Sequence, residues 1–170
     1  SIVDLVEGGF DIAIRNAELK SSSLIARKLA PDHRVLCASP EYIAQFGEPS
    51  TPQALEQHEC LILKGINQWS FNGPDGLVTI KAQGKFSTDN GDAVRDACVH
   101  GLGITINSAW SAYQYIKSGE LVQVLADYPI VSDTAIWAVY PSSRQMAPKV
   151  RAFIDYFTQA YGDTPYWQLT

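Results

Sequence analysis

The chain is predicted to be an α/β fold with a substantially parallel sheet. Three features point there: short apolar runs alternate with amphipathic stretches over 170 residues, Ser-Pro-type start signals follow strands, and glycines close helices. Gly8-Gly9 ends an opening helical stretch bearing Val3, Leu5, Val6 and Phe10, and the run at residues 10–15 is a first strand. Residues 23–29 and 33–38 are further strands, broken by Pro31. Ser39 suits an N-cap and Pro40 a first helical position, so residues 41–46 form a helix ended by Gly47. Thr51-Pro52 repeats the signal for residues 53–57.

Residues 60–64 have the composition of a buried strand, and residues 69–71 and 77–82 flank a turn-rich link, as in a hairpin. Residues 85–88 lead through Asp89-Asn90-Gly91 into a helix whose apolar stripe is Ala93, Val94, Ala97, Cys98 and Leu102. Residues 103–107 form a strand, Ser108 caps a helix at 109–117 that Gly119 terminates, and residues 121–125 and 134–140 are strands. Pro148 opens a last helix with the stripe Val150, Phe153, Ile154, Phe157 and Tyr161; residues 163–170 read as irregular.

Composition excludes several classes. A chain of this length buries roughly 70% of its unfolded surface, enough for a real core. Eighteen acidic against thirteen basic residues give a net charge of −5, with no basic stripe to follow a phosphate backbone. The chain is therefore not expected to bind DNA by itself. Cys37, Cys60 and Cys98 sit in apolar runs as small hydrophobes, an odd number that fits a reducing, cytoplasmic setting. No run of about 18 apolar residues marks a membrane span and no signal-peptide pattern opens the chain. It starts at Ser1 within a helix-like stretch, as a piece of a longer protein would.

Catalytic motifs are nearly absent: the nucleophile elbow, the phosphate loop, the dinucleotide fingerprint and the zinc-protease helix all fail to match. Gly101-Leu102-Gly103 is better read as a helix end followed by a strand, and His58 and Cys60 lack a second ligand pair at zinc spacing. No cofactor and no metal are expected. What remains is binding. Ligands of α/β sheets sit beyond the carboxyl ends of strands, at helix N-termini. Ser39, the Lys64-Gly65 strand end, and Thr88, Asn90 and Gly91 mark such turns; Arg15 can offer a fork to a carboxylate, and Trp69 suits either a core or a pocket wall. Their convergence would receive a small, carboxylate-bearing metabolite.

The stretch from Asp4 to Arg15 with its Gly8-Gly9-Phe10-Asp11-Ile12-Ala13-Ile14-Arg15, then Leu24 to Pro31, Arg34-Val35-Leu36-Cys37-Ala38-Ser39-Pro40-Glu41-Tyr42 and Gly101-Leu102-Gly103-Ile104, resembles the effector-binding domain of LysR-type transcriptional regulators. Ala138-Val139-Tyr140-Pro141-Ser142 and Pro148-Lys149-Val150-Arg151-Ala152-Phe153-Ile154-Asp155 look like that family's closing strand and helix. The resemblance implies a two-lobe, periplasmic-binding-protein-like (type 2) fold. Residues 35–130 would be lobe II, and residues 1–34 with 131–170 a partial lobe I. The first lobe would be incomplete, since the family's winged helix-turn-helix and opening strand–helix–strand have no counterpart here. The resemblance places Ser39, Lys64-Gly65 and Thr88 to Gly91 at an inter-lobe cleft. It also implies a homo-oligomer, with DNA reached only through the N-terminal domain.

The leading reading is thus an effector-sensing domain of a transcriptional regulator. A transport-type solute-binding protein of the same fold is the alternative, which the free-looking cysteines disfavour. A hydrolase using Ser39 is a third reading, to be decided by turnover lost in Ser39→Ala.

Overall fold

The structure is a computed structural model that describes residues 12–17, 24–144 and 147–168. The expected opening helix and its Gly8-Gly9 stop lie outside these residues. The chain divides into two compact units, Ser1–His33 with Asp133–Thr170, and Arg34–Ser132.

The first unit is built on a three-stranded antiparallel sheet of β1 (Ala13–Ala17), β2 (Leu24–Pro31) and β10 (Ala135–Pro141), in the order β1-β10-β2. The central strand is a continuous apolar run, buried at Ala135, Ile136, Ala138, Val139 and Tyr140. Pro31 is accommodated because β2 lies at the edge of this order and Pro31 closes the strand. Helix α4 (Pro148–Tyr161) packs on β2. Of its expected stripe, Val150 is buried, while Phe153, Ile154, Phe157 and Tyr161 are half-buried.

In the second unit β3 (Arg34–Ala38) lies between β8 (Thr105–Ser108) and β9 (Val122–Gln123), antiparallel to both. Ile104, at the head of β8, bridges Cys60 in parallel, and β4 (Ile62–Leu63) pairs in parallel with β7 (Ser87–Thr88). That single bridge sets the two-stranded β4-β7 sheet beside the three-stranded β9-β3-β8 sheet. Hairpin β5 (Gln68–Gly73) and β6 (Gly76–Lys81) closes through Pro74-Asp75. The expected, substantially parallel sheet is corrected here: among the described residues most pairings are antiparallel. Strand–helix alternation reports what separates consecutive strands, whereas β3 and β8 are neighbours brought together across about seventy residues, where the crossover rule has no hold.

Helix starts follow their caps. The Ser39 hydroxyl accepts from the Tyr42 amide at 3.1 Å and opens α1 (Pro40–Phe46). Thr51 opens a short 3-10 helix, Pro52–Gln57, where an α-helix was expected. Asn90 caps α2 (Gly91–Val99), but Ser108, the expected cap of α3 (Ala109–Ser118), makes no side-chain capping bond. The expected strand at 121–125 shrinks to Val122–Gln123, and Leu125 takes the left-handed φ of 53° soon after.

Alternation along β3 divides the core. Leu36 and Ala38 pack with Tyr42, Leu55, Trp69, Phe71 and Ile80 on one face. Val35 and Cys37 are buried too, and α2 packs on β3 where the Cys98 thiol donates to the Cys37 carbonyl at 3.3 Å. All three cysteines are free and wholly buried. Burial pushes the Cys60 thiol up to about 11 and Cys98 to about 12, and raises Cys37 as well, with Cys98 adding to it. They act as hydrophobes.

One polar chain crosses this unit. The Glu59 amide donates to the Tyr42 hydroxyl at 3.3 Å, which leaves that hydroxyl to donate to Nδ1 of a neutral His58 at 2.7 Å. Burial holds the His58 pKa below its ordinary 6.5, so as pH falls through 6.5 the unfolded chain takes up a proton before the folded one. The contribution of this pair is fully present above that pH and is lost below it. In urea unfolding followed between pH 8 and 5, the wild type is expected to lose stability faster below pH 6.5 than His58→Gln. Parallel curves for the two proteins would refute the assignment.

Candidate functional site

Because β8, β4 and β7 run in parallel, their carboxyl ends share one edge of the second unit. Three turns follow from that edge: Lys64-Gly65 after β4, Asp89-Asn90 after β7, and the direct step from Ser108 into α3. Two helices thus begin there, each presenting a partial positive charge from its unpaired first-turn amides.

The local chemistry builds this edge firmly. The Lys64 amide donates to the Thr88 carbonyl at 2.8 Å, so the two turns are tied side by side. Gly65 takes φ +86°, which a side chain resists, and Ile66 closes the turn by donating to the Leu63 carbonyl at 2.9 Å. The Asn90 amide donates to the Thr88 hydroxyl at 3.2 Å, while Asn90 Oδ1 accepts from Asp92 and Ala93 at 3.0 and 3.2 Å. Arg95 offsets the acids of α2: it pairs with Asp92 at 3.2 Å and Asp96 at 3.1 Å. It also donates to the Ser111 hydroxyl at 3.0 Å and lies over the Tyr115 ring, bracing α2 against α3. Lys64 and Asn90 are exposed, so an ammonium, an amide and the half-buried Thr88 hydroxyl are available at one place. They can hydrogen-bond a small anion.

Of the residues singled out from the sequence, Lys64, Gly65, Thr88, Asn90 and Gly91 are brought together. Ser39 is not among them. β3 runs opposite to β4 and β7, so its carboxyl end lies at the other end of the sheet, where a Cβ on Gly101 would stand 3.3 Å from the Ser39 hydroxyl. That is the far end of α2 from Asn90, about 15 Å away by helical rise. Ser39 is wholly buried and its oxygen is committed to the cap, which leaves a substrate no access to it. Trp69 is 2% exposed in the core, and its indole N–H donates to the Ile66 carbonyl at 3.1 Å. It holds the Lys64-Gly65 turn from behind. Arg15 lies on β1 of the first unit, paired with Trp137, and its side chain is outside the described residues. The bracing by Arg95 and Ser111 was missed from sequence; the Asp92, Arg95, Asp96 spacing on one helix was its available signal. Among the described residues no group of His, Cys, Asp and Glu could hold a metal ion, and no helix is long and apolar enough to cross a membrane.

The second unit is thus an α/β body with a polar edge that carries Lys64 and the start of α2. The chain belongs to the LysR substrate binding domain family, whose model matches residues 1–162. The chain is 38% identical to the HTH-type transcriptional regulator DmlR of Escherichia coli K12 over 166 residues, which is 95% of this chain and 53% of that protein. Among solved structures, the regulatory domain of CrgA, a LysR-type transcriptional regulator from Neisseria meningitidis, matches with a TM-score of 0.81 at 31% identity, covering 95% of this chain and 80% of that one. Full-length AphB, the virulence activator of Vibrio cholerae, matches with a TM-score of 0.73 at 31% identity, covering 94% and 55%. The chain spans about half the length of the curated relatives it matches. Its fold class is the two-lobe, periplasmic-binding-protein-like one expected from the sequence. These relatives are transcriptional regulators, and the transport alternative gains no support from them.

Proposed function

We propose that this chain is the effector-sensing part of a cytoplasmic, homo-oligomeric transcriptional regulator, and that a small carboxylate-bearing metabolite binds at Lys64, Gly65, Thr88, Asn90 and Gly91. The observation that carries the reading is the parallel β4–β7 pairing, which sets the exposed Lys64 beside the turn leading into the capped start of α2. The kinship with DNA-binding regulators and the three buried free thiols support the rest. DNA contact belongs to a separate segment of the whole protein, and the net charge of −5 on this chain agrees with that division. Sensing requires that the metabolite bind two states of the protein with different affinity; occupancy then shifts their populations.

Thermal-shift screening of mono- and dicarboxylic acids on the intact protein tests this. A true effector at a hundred times its dissociation constant adds about 2.7 kcal/mol. Lys64→Ala and Thr88→Val are expected to abolish the shift while leaving the ligand-free melting temperature within a few degrees. A full shift in both variants would move the site elsewhere, and no shift with any organic acid would remove the ligand class.

A further inference from the structure

The family match ends at residue 162, yet the next residues are folded into the first unit. The Gly162 amide donates to the Thr158 carbonyl at 3.1 Å, and its φ of +64° turns the chain off the end of α4. Pro165 is buried, the Gln168 amide donates back to its carbonyl at 3.0 Å, and Trp167 has no exposed surface at all. Its indole N–H donates to the Pro31 carbonyl at 3.3 Å. Its ring meets Tyr161 and Tyr166 edge-on, each with centroids 4.9 Å apart. Tyr161 is itself the end of a row along α4, with Phe153 to Phe157 at 4.7 Å and Phe157 to Tyr161 at 5.5 Å. The tail therefore continues the aromatic stripe of the helix and lays it across the end of β2. Burying a tryptophan removes roughly 150–250 Å² from water, so the packing of the ring contributes more than its one long hydrogen bond.

The residue it grips occupies a particular place. Pro31 ends β2 and is register partner to Ala135, the first residue of β10. Two residues beyond Pro31 the chain leaves the first unit at His33, and it returns at Asp133, two residues before Ala135. The roots of both connecting segments thus lie side by side under one aromatic anchor. We infer that residues 163–168 are an integral strap, anchored by Trp167, that fixes in the first unit the roots of both segments joining the two units. This inference stands apart from the functional reading and survives its failure.

Hydrogen exchange read by mass spectrometry on the intact protein tests it. In Trp167→Ala, exchange in peptides covering 24–31 and 135–141 is expected to rise about tenfold while α2 keeps its protection, as for a local opening. Trp167→Phe keeps an aromatic ring but loses the N–H, and is expected to show a smaller rise at the same two places. Should Trp167→Ala fail to fold, Trp167→Phe decides alone. Unchanged exchange at both strands, or an equal rise in α2, would overturn the strap.

Discussion

Gly84→Ala is expected to destabilise the second unit severely. A Cβ built on Gly84 lands 1.9 Å from the Cys60 carbonyl oxygen and 2.9 Å from its carbon, both backbone atoms. Neither side can move away cheaply. The Cys60 amide is bonded to the Gln83 carbonyl at 3.0 Å, and the next residue, Leu61, donates to the Ile104 carbonyl at 2.9 Å. Relieving the collision breaks the bridge that joins β8 to β4. The expected loss is about 3 kcal/mol or more, a large part of the roughly 5–15 kcal/mol that keeps a domain folded. Gly91→Ala is the control, since a Cβ there meets nothing within 4 Å and its φ is not positive. At this helix position alanine is neutral or slightly favourable. Urea midpoints for the two variants measure the contrast, and a Gly84→Ala midpoint equal to wild type would show the packing to be wrong.

Trp69→Ala is expected to cost about 3–5 kcal/mol, the usual range for removing a large buried aromatic side chain. The side chain is nearly inaccessible among Leu36, Tyr42, Leu55, Phe71 and Ile80, so its removal leaves a cavity that the hairpin cannot close. Trp69→Phe separates packing from bonding: it leaves the Ile66 carbonyl without its indole donor and is expected to cost about 1–2 kcal/mol. Because Ile66 closes the turn carrying Lys64 and Gly65, the phenylalanine variant is also expected to weaken ligand binding more than its stability loss alone would. Calorimetric unfolding gives the first quantity, and titration with a carboxylic acid that raises the wild-type melting temperature gives the second. A midpoint for Trp69→Ala within a degree of wild type would contradict the burial described.

Much of the fold was legible because its signals are local. Ser39 and Thr51 before prolines, Asn90 before a stripe, and Gly119 after one each act through bonds within four residues. Strand partnership is a long-range property, and there the reading went astray. Nothing in residues 34–38 tells that their neighbour is 105–108 or that it runs the other way. The same blindness affected the site. The turns at Ser39 and Asn90 look alike in sequence, each a polar cap after a strand, and only the opposed direction of β3 sends Ser39 to the far end of α2. Trp69 was ambiguous because an indole serves a core or a wall equally well until its N–H partner is known. The described part of the tail is irregular, as read, but its anchoring was not legible: six residues without periodicity carry no pattern, yet Trp167 finds a complete burial site.

The three shielded sulfurs have a practical corollary. Since neither access nor ionisation favours them, alkylating reagents should leave the native protein unmarked, and a cysteine introduced on the surface would carry a fluorophore alone with no need to delete the others. The same silence makes reagent uptake a stopwatch: each thiol counts only when the second unit opens, so labelling rates read out how often it does.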